Sequence, residues 1–114
     1  MSKSTELNQE LLDSCKVVHA EWNELSRVWT LPVIHAIGLK EPARFNELKR
    51  RIEGISATSL AERLNELEKQ DIIARKVYPE TPPRVEYTLT KKGAELCKLL
   101  EQFADWAKRW ATVK

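Results

Sequence analysis

A mainly α fold carrying one small β-hairpin, hence of α+β class, is predicted by three features of this 114-residue chain. The first is a pair of short apolar stripes, Phe45–Leu48–Ile52 and Leu60–Leu64–Leu67, each at the three- and four-residue steps of a helix. Gly54 and Ser56 stand between them. The second is a change of period after Leu67. Residues 71–78 are rich in β-branched side chains and residues 84–89 alternate apolar with polar, while the prolines among residues 79–83 lack the donors that a ladder needs. The third is a longer apolar stripe at each end of the chain, with the narrow spacing of a helix–helix seam. Helix, glycine turn, helix and then hairpin is the order of a winged helix-turn-helix, whose second helix can enter the major groove of DNA.

Each element follows from local chemistry. Residues 1–5 are expected to be frayed. From Leu7 the series Leu7, Leu11, Cys15, Val18, Trp22 and Leu25 marks one long helix, residues 6–25. A break over Ser26–Thr30 follows, with Ser26 or Thr30 capping a second helix that takes Pro32 in its first turn. That helix carries Trp29, Val33, Ile34 and Ile37 and stops near Gly38; the link LKEPA leads into residues 44–70, the helix-turn-helix. There Gly54 ends the first helix because glycine enters the left-handed region cheaply. Ser56 is placed to cap the second with its hydroxyl. Residues 72–90 form the wing, with Val85, Tyr87 and Leu89 on one face of its second strand. Thr90 caps a last helix, residues 91–112, with Gly93 in its first turn and Leu96, Leu99, Phe103, Trp106 and Trp110 as its stripe.

A single domain spanning residues 1–114 has little room to bury two seams against itself. Both terminal helices are therefore expected to meet a second copy of the chain, through Leu11, Cys15, Val18 and Trp22 on one and Leu99, Phe103, Trp106 and Trp110 on the other. A two-fold dimer also presents two reading helices to half-sites about one helical turn apart, which implies a palindromic double-stranded operator.

Charge is nearly balanced, with 19 Lys and Arg against 17 Asp and Glu and a net +2. Between Lys40 and Lys92 twelve basic groups face nine acidic ones, so the small basic excess surrounds the helix-turn-helix. No apolar run approaches the roughly 20 residues of a membrane span. The polar N-terminus lacks the apolar core of a signal peptide, and two cysteines are too few for a disulfide framework. A cytoplasmic protein without membrane association is expected. Catalysis finds no support: there is no Gly-rich phosphate loop and no nucleophile–base constellation, and no cofactor is called for.

Candidate DNA contacts fall in three places. Ser56, Thr58, Ser59 and Arg63 lie in the first turns of the second helix, where hydroxyls and N–H groups can bond phosphates and Arg63 can reach a guanine edge; Asn65 follows as a base contact. Arg44 and Lys49 flank the groove, and Arg75, Lys76 and Arg84 belong to the wing. Against this, Glu62, Glu66 and Glu68 repel phosphate, and the same charges read equally as a solvated face. A winged-helix module that binds a protein and not DNA is the rival function. Cys15 reads either as a redox or electrophile sensor, with Lys16 beside it, or as a small hydrophobe on its seam; Cys97 reads as packing. Cys15 and His19 are one helical turn apart, but two ligands do not make a metal site, and none is expected. The tryptophans read as core or dimer contacts, with room at the interface for a small-molecule effector.

Several blocks also resemble a known family. They are Trp29-Thr30-Leu31-Pro32-Val33-Ile34, Arg44-Phe45-Asn46-Glu47-Leu48-Lys49-Arg50, Gly54-Ile55-Ser56, the leucines 60, 64 and 67 with Glu68, and Pro82-Pro83-Arg84-Val85-Glu86-Tyr87-Thr88-Leu89-Thr90 with Gly93. In order and spacing these are similar to the HxlR-type winged helix-turn-helix regulators, relatives of the MarR type, from about Cys15 to Trp110. The resemblance implies a homodimeric DNA-binding transcription factor with its terminal helices at the interface. The chain departs from the family pattern at Ser26-Arg27-Val28, where a glycine-rich turn and a lysine are usual, and at Asp71, where glycine is usual. Many members carry a Cys-Pro pair near the N-terminus, in some of which the cysteine senses oxidants; here the pair is Cys15-Lys16.

Overall fold

The computed structural model of the protein describes residues 2–111, with side chains from Gln9 onward. Its elements are α1 (Ser2–Leu25), α2 (Thr30–Leu39), α3 (Phe45–Arg51), α4 (Ala57–Lys69), β1 (Ile73–Tyr78), β2 (Arg84–Leu89) and α5 (Lys91–Ala111). The strands pair antiparallel from Ile73 opposite Leu89 to Tyr78 opposite Arg84. Ala43 adds a short bridge on the outer edge of β2, exchanging backbone bonds of 2.9 and 2.8 Å with Tyr87. This is the winged helix-turn-helix architecture: α3 and α4 form the helical pair, and the hairpin forms the wing.

The core gathers around α2. Val33, Ile34 and Ile37 of that helix are fully buried against Leu48 of α3, Leu60, Leu64 and Leu67 of α4, Ile72 and Ile73 at the start of the wing, and Cys97 of α5. A helix apolar on almost every side has to lie inside, which is where α2 is found. Its entry is unusual. Trp29 takes a left-handed backbone (φ 76°), and no side chain caps the helix. The expected cap by Ser26 or Thr30 is thus corrected: Thr30 is the first helical residue, and its buried hydroxyl has no hydrogen-bond partner. Tight reversal between α1 and α2 places the indole of Trp29 near Gly54 instead.

Other boundaries shift for plain reasons. α1 starts at Ser2 and not at residue 6, and neither Gly nor Pro interrupts that stretch; Met1 lies outside the described residues. Leu7, the first residue of the seam, lies outside the residues whose side chains are described. α2 continues one residue beyond Gly38, to Leu39, and β1 begins at Ile73 because Asp71 takes a left-handed turn (φ 60°). Gly54 is left-handed as well (φ 87°), and the Ser56 hydroxyl accepts the Ser59 N–H at 3.0 Å, so the turn between α3 and α4 is built as its residue types dictate.

α1 stands apart from this core, as does the outer stripe of α5, Leu99, Phe103, Trp106 and Trp110. Every described residue of α1 from Gln9 to Glu24 is exposed, and the molecule extends over 68 × 41 × 22 Å. Its radius of gyration is 17.8 Å, against about 13 Å for a compact chain of this length.

Thr90 fastens the other end of the core. Its hydroxyl donates toward the carbonyls of Asp71 (2.7 Å) and Ile72 (3.0 Å) and accepts the N–H of Gly93 at 3.1 Å. α5 therefore starts so close to the wing that a Cβ on Gly93 would overlap the backbone carbonyl of Ile72. Gly93→Ala is expected to destabilise the fold by about 3 kcal/mol, read as a lowered urea midpoint with an unchanged slope.

Candidate nucleic-acid interface

α4 is amphipathic in the required sense. Leu60, Leu64 and Leu67 face the core, and Thr58, Ala61, Glu62 and Asn65 form the outward line. Thr58 and Asn65 are exposed there, as expected of groove contacts. Ser59 is half-buried, and exposed Ser56 accepts one bond at the helix start while keeping its O–H donor.

Arg63 departs from expectation. Its side chain is only 13% exposed, and its fork meets Glu66 with both arms, Nη1 to Oε2 and Nη2 to Oε1, each at 3.1 Å. Glu66 Oε1 also accepts from Arg27 Nη1 at 3.0 Å. The guanidinium expected at a base edge is therefore turned back along its own helix by a carboxylate three residues on. A second tether lies beside it, where Gln70 Nε2 donates to Glu24 Oε2 at 3.0 Å. Together these join the end of α1 and the turn after it to α4. Arg27 and Glu66 were not foreseen as a pair, since nothing local links residues 39 apart.

The basic flank is built by α3 and the wing. Arg44, Arg50 and Arg84 line one cleft of about 660 Å³ between the start of α3 and the wing tip, Glu80–Pro83. Arg50 is a further cation that the sequence expectations left out; the run Lys49-Arg50-Arg51 was its signal. Arg51, by contrast, turns inward and donates to the carbonyls of Ala36 (2.9 Å) and Lys40 (3.1 Å), satisfying the end of α2. Lys49 is exposed on α3. Exposed Arg75 shares a smaller cleft with Asn65.

The wing orders its own tip. Arg84 lies over the Tyr78 ring at 3.9 Å, with Lys76 at 4.9 Å, and pairs with Glu80 (3.2 Å) and Glu86 (3.5 Å). Arg84 is thus half-buried and oriented, whereas Arg75 and Lys76 are exposed.

α3 starts on half of a capping box. Glu47 Oε1 accepts the backbone N–H of Arg44 at 2.8 Å, and an arginine side chain has no acceptor with which to return the bond. That backbone bond holds the Glu47 carboxyl below its ordinary value; burial opposes it, and the charges of Arg51, Arg44 and Arg50 reinforce it.

Cys15 and His19 are both exposed on α1, and Cys97 is buried. Burial, then the charges of Glu101 and Glu41, push the Cys97 thiol up. Among the described residues no group of three or more His, Cys, Asp or Glu is arranged to hold a metal ion, and no helix is long and apolar enough to cross a membrane.

A model of HxlR-like helix-turn-helix proteins matches residues 24–114. The chain belongs to the HxlR family. It is 40% identical over 93 residues to the HTH-type transcriptional regulator YodB of Bacillus subtilis, covering 82% of each protein. The reduced form of YodB superposes with a TM-score of 0.69 over 84% of this chain and 93% of that one, and YodB has also been solved after diamide treatment. A MarR-family transcriptional regulator from Porphyromonas gingivalis W83 gives a TM-score of 0.74 at 36% identity, over 80% and 88% of the two chains. The redox regulator HypR in its reduced form gives 0.72 at 32% identity, over 84% and 94%. As an HxlR-family protein the chain is a DNA-binding transcriptional regulator.

The Glu47 cap carries a pH signature. A carboxyl lowered by folding stabilises the protein above its ordinary value of 4.5, and that stability is lost as the pH falls through the folded-state value. Glu47→Ala is expected to be less stable than the wild type at neutral pH, with the gap narrowing in urea melts carried down to about pH 3.

Proposed function

We propose that the chain acts as a homodimer which reads a palindromic operator through two copies of α4, held by packing of the terminal helices across a two-fold axis. The observation that carries this is the apolar surface left uncovered on α1 and α5. Leu11, Val18 and Trp22 on α1, and Leu99, Phe103, Trp106 and Trp110 on α5, are all more than half exposed, with Trp110 at 69%. Phe103 and Trp106 already stack on one another, their centroids 5.9 Å apart. Covering a large apolar side chain is worth about 1.5–3 kcal/mol, so these stripes supply ample drive for association even after its entropic cost.

On the DNA, Thr58 and Asn65 serve as groove contacts. Arg44, Lys49, Arg50, Arg75 and Lys76 act as phosphate contacts around the groove, and Arg84 is the ordered cation of the wing. Cys15 lies on the same stripe as Leu11 and Val18, so a change at its thiol is felt at the interface that sets the spacing of the two α4 helices. The likeness to HypR, and to YodB in its reduced and diamide-treated forms, supports a redox response there. A small-molecule effector seated between the terminal helices would act on the same spacing.

Selection from a pool of random duplexes at two salt concentrations tests the proposal. Enrichment of a palindrome with half-sites about one turn apart is expected, with affinity falling steeply as salt rises. Recovery of no sequence would overturn it in favour of a protein-binding module. Trp106→Ala with Trp110→Ala is expected to weaken the dimer at least about tenfold per tryptophan, by sedimentation; an unchanged dimer would remove the assignment of that stripe.

A further inference from the structure

α4 is acidic for a helix that enters DNA, yet its carboxylates are not alike. Glu66 is committed to the fork of Arg63 and to Arg27. Glu62 is uncommitted: its side chain is 62% exposed, and among the described residues its one ion pair is with Arg63 at 3.9 Å, beyond hydrogen-bond reach. Because Glu66 takes both arms of that arginine, Glu62 is left free on the outward line between Thr58 and Asn65, in the second turn of the helix. Reading helices place their N-terminal turns against the bases.

A carboxylate in that position has few tolerable neighbours. Phosphates repel it, and an ionised carboxylate accepts hydrogen bonds but donates none. On the major-groove edge, guanine and thymine present acceptors, adenine sets its amino group beside its own N7 acceptor, and cytosine presents the N4 amino donor with no acceptor on the same base. The geometry points to Glu62 as a specificity-determining residue of α4, its carboxylate accepting a hydrogen bond from a cytosine amino group at one position of each half-site. The acidity of the helix is then a means of discrimination: the carboxylate sheds water on entering the groove and recovers a partner only where cytosine stands, so guanine and thymine are rejected there. This rests on the groove-reading role of α4 proposed above.

The test compares wild-type protein, Glu62→Gln and Glu62→Ala in selections from the same random duplex pool. Glu62 is exposed, so both variants should melt as the wild type does. The wild type is expected to prefer cytosine at one position per half-site by about 5- to 100-fold over guanine or thymine. Glu62→Ala should lose that preference, and Glu62→Gln should move it toward adenine, whose N6 and N7 an amide bonds together. The remaining positions of the motif should stay as they are. Identical motifs from all three proteins, with the variants binding every site more tightly, would overturn the role of Glu62 and leave groove reading by α4 standing. A failure of the wild type and both variants alike to enrich any motif would remove groove reading itself, and this inference with it.

Discussion

Four elements, α3, α4, β2 and α5, close around α2, whose Thr30, Val33, Ile34, Ala36 and Ile37 are withdrawn from solvent. Both helices of the helix-turn-helix, α3 and α4, pack on it, so the surface that α2 offers bears on their angle. The ends of α2 are costly to bury because helix termini leave backbone groups unpaired. At the C-terminal end half-buried Arg51 reaches across from α3 to two carbonyls and satisfies them. At the N-terminal end Trp29 holds a left-handed backbone that a bulky residue adopts only when its surroundings insist.

A chain with a net charge of +2 is an unpromising partner for a polyanion until its acids are sorted by position. Glu47 is bonded to a backbone N–H, Glu66 to two arginines, and Glu80 and Glu86 are ion-paired with Arg84. These carboxylates organise the surface and leave Arg44, Lys49, Arg50, Arg75 and Lys76 exposed around α4. The more exposed of these pairs contribute little stability, ~1 kcal/mol at most. Their value here is geometric, because each fixes the direction of a side chain that would otherwise sweep a wide volume.

How far the sequence speaks depends on the range of the interaction concerned. The left-handed turn at Gly54, the Ser56 and Thr90 caps and the strand at residues 84–89 are decided within four residues, and all were legible, although burial along that strand is uniform and does not alternate. Packing that crosses the chain was not. Arg63 looked like a free cation because periodicity assigns a face and not a partner, and its tie to Glu66 is reinforced by Arg27 from another element. Trp29 looked like part of a helix stripe, whereas the reversal before α2 needs it as a corner. Arg50 and Arg51, neighbours in one basic run, point to opposite duties because a helix turns about 100° between them. The exposure of both terminal stripes was readable for the opposite reason: too much apolar surface was written into a chain too short to cover it.

The two tethers from α1 to α4, Glu24–Gln70 and Arg27–Glu66, sit at one end of a helix 24 residues long. Such a helix is a rod of about 36 Å, clasped at its foot to α4. A rod held this way works as a crank. A tilt of roughly 5° about the foot would sweep its far end through ~3 Å over that length. The joint at that foot is mixed in kind, with the two polar contacts set beside Leu25 and Trp29, which pack against the core.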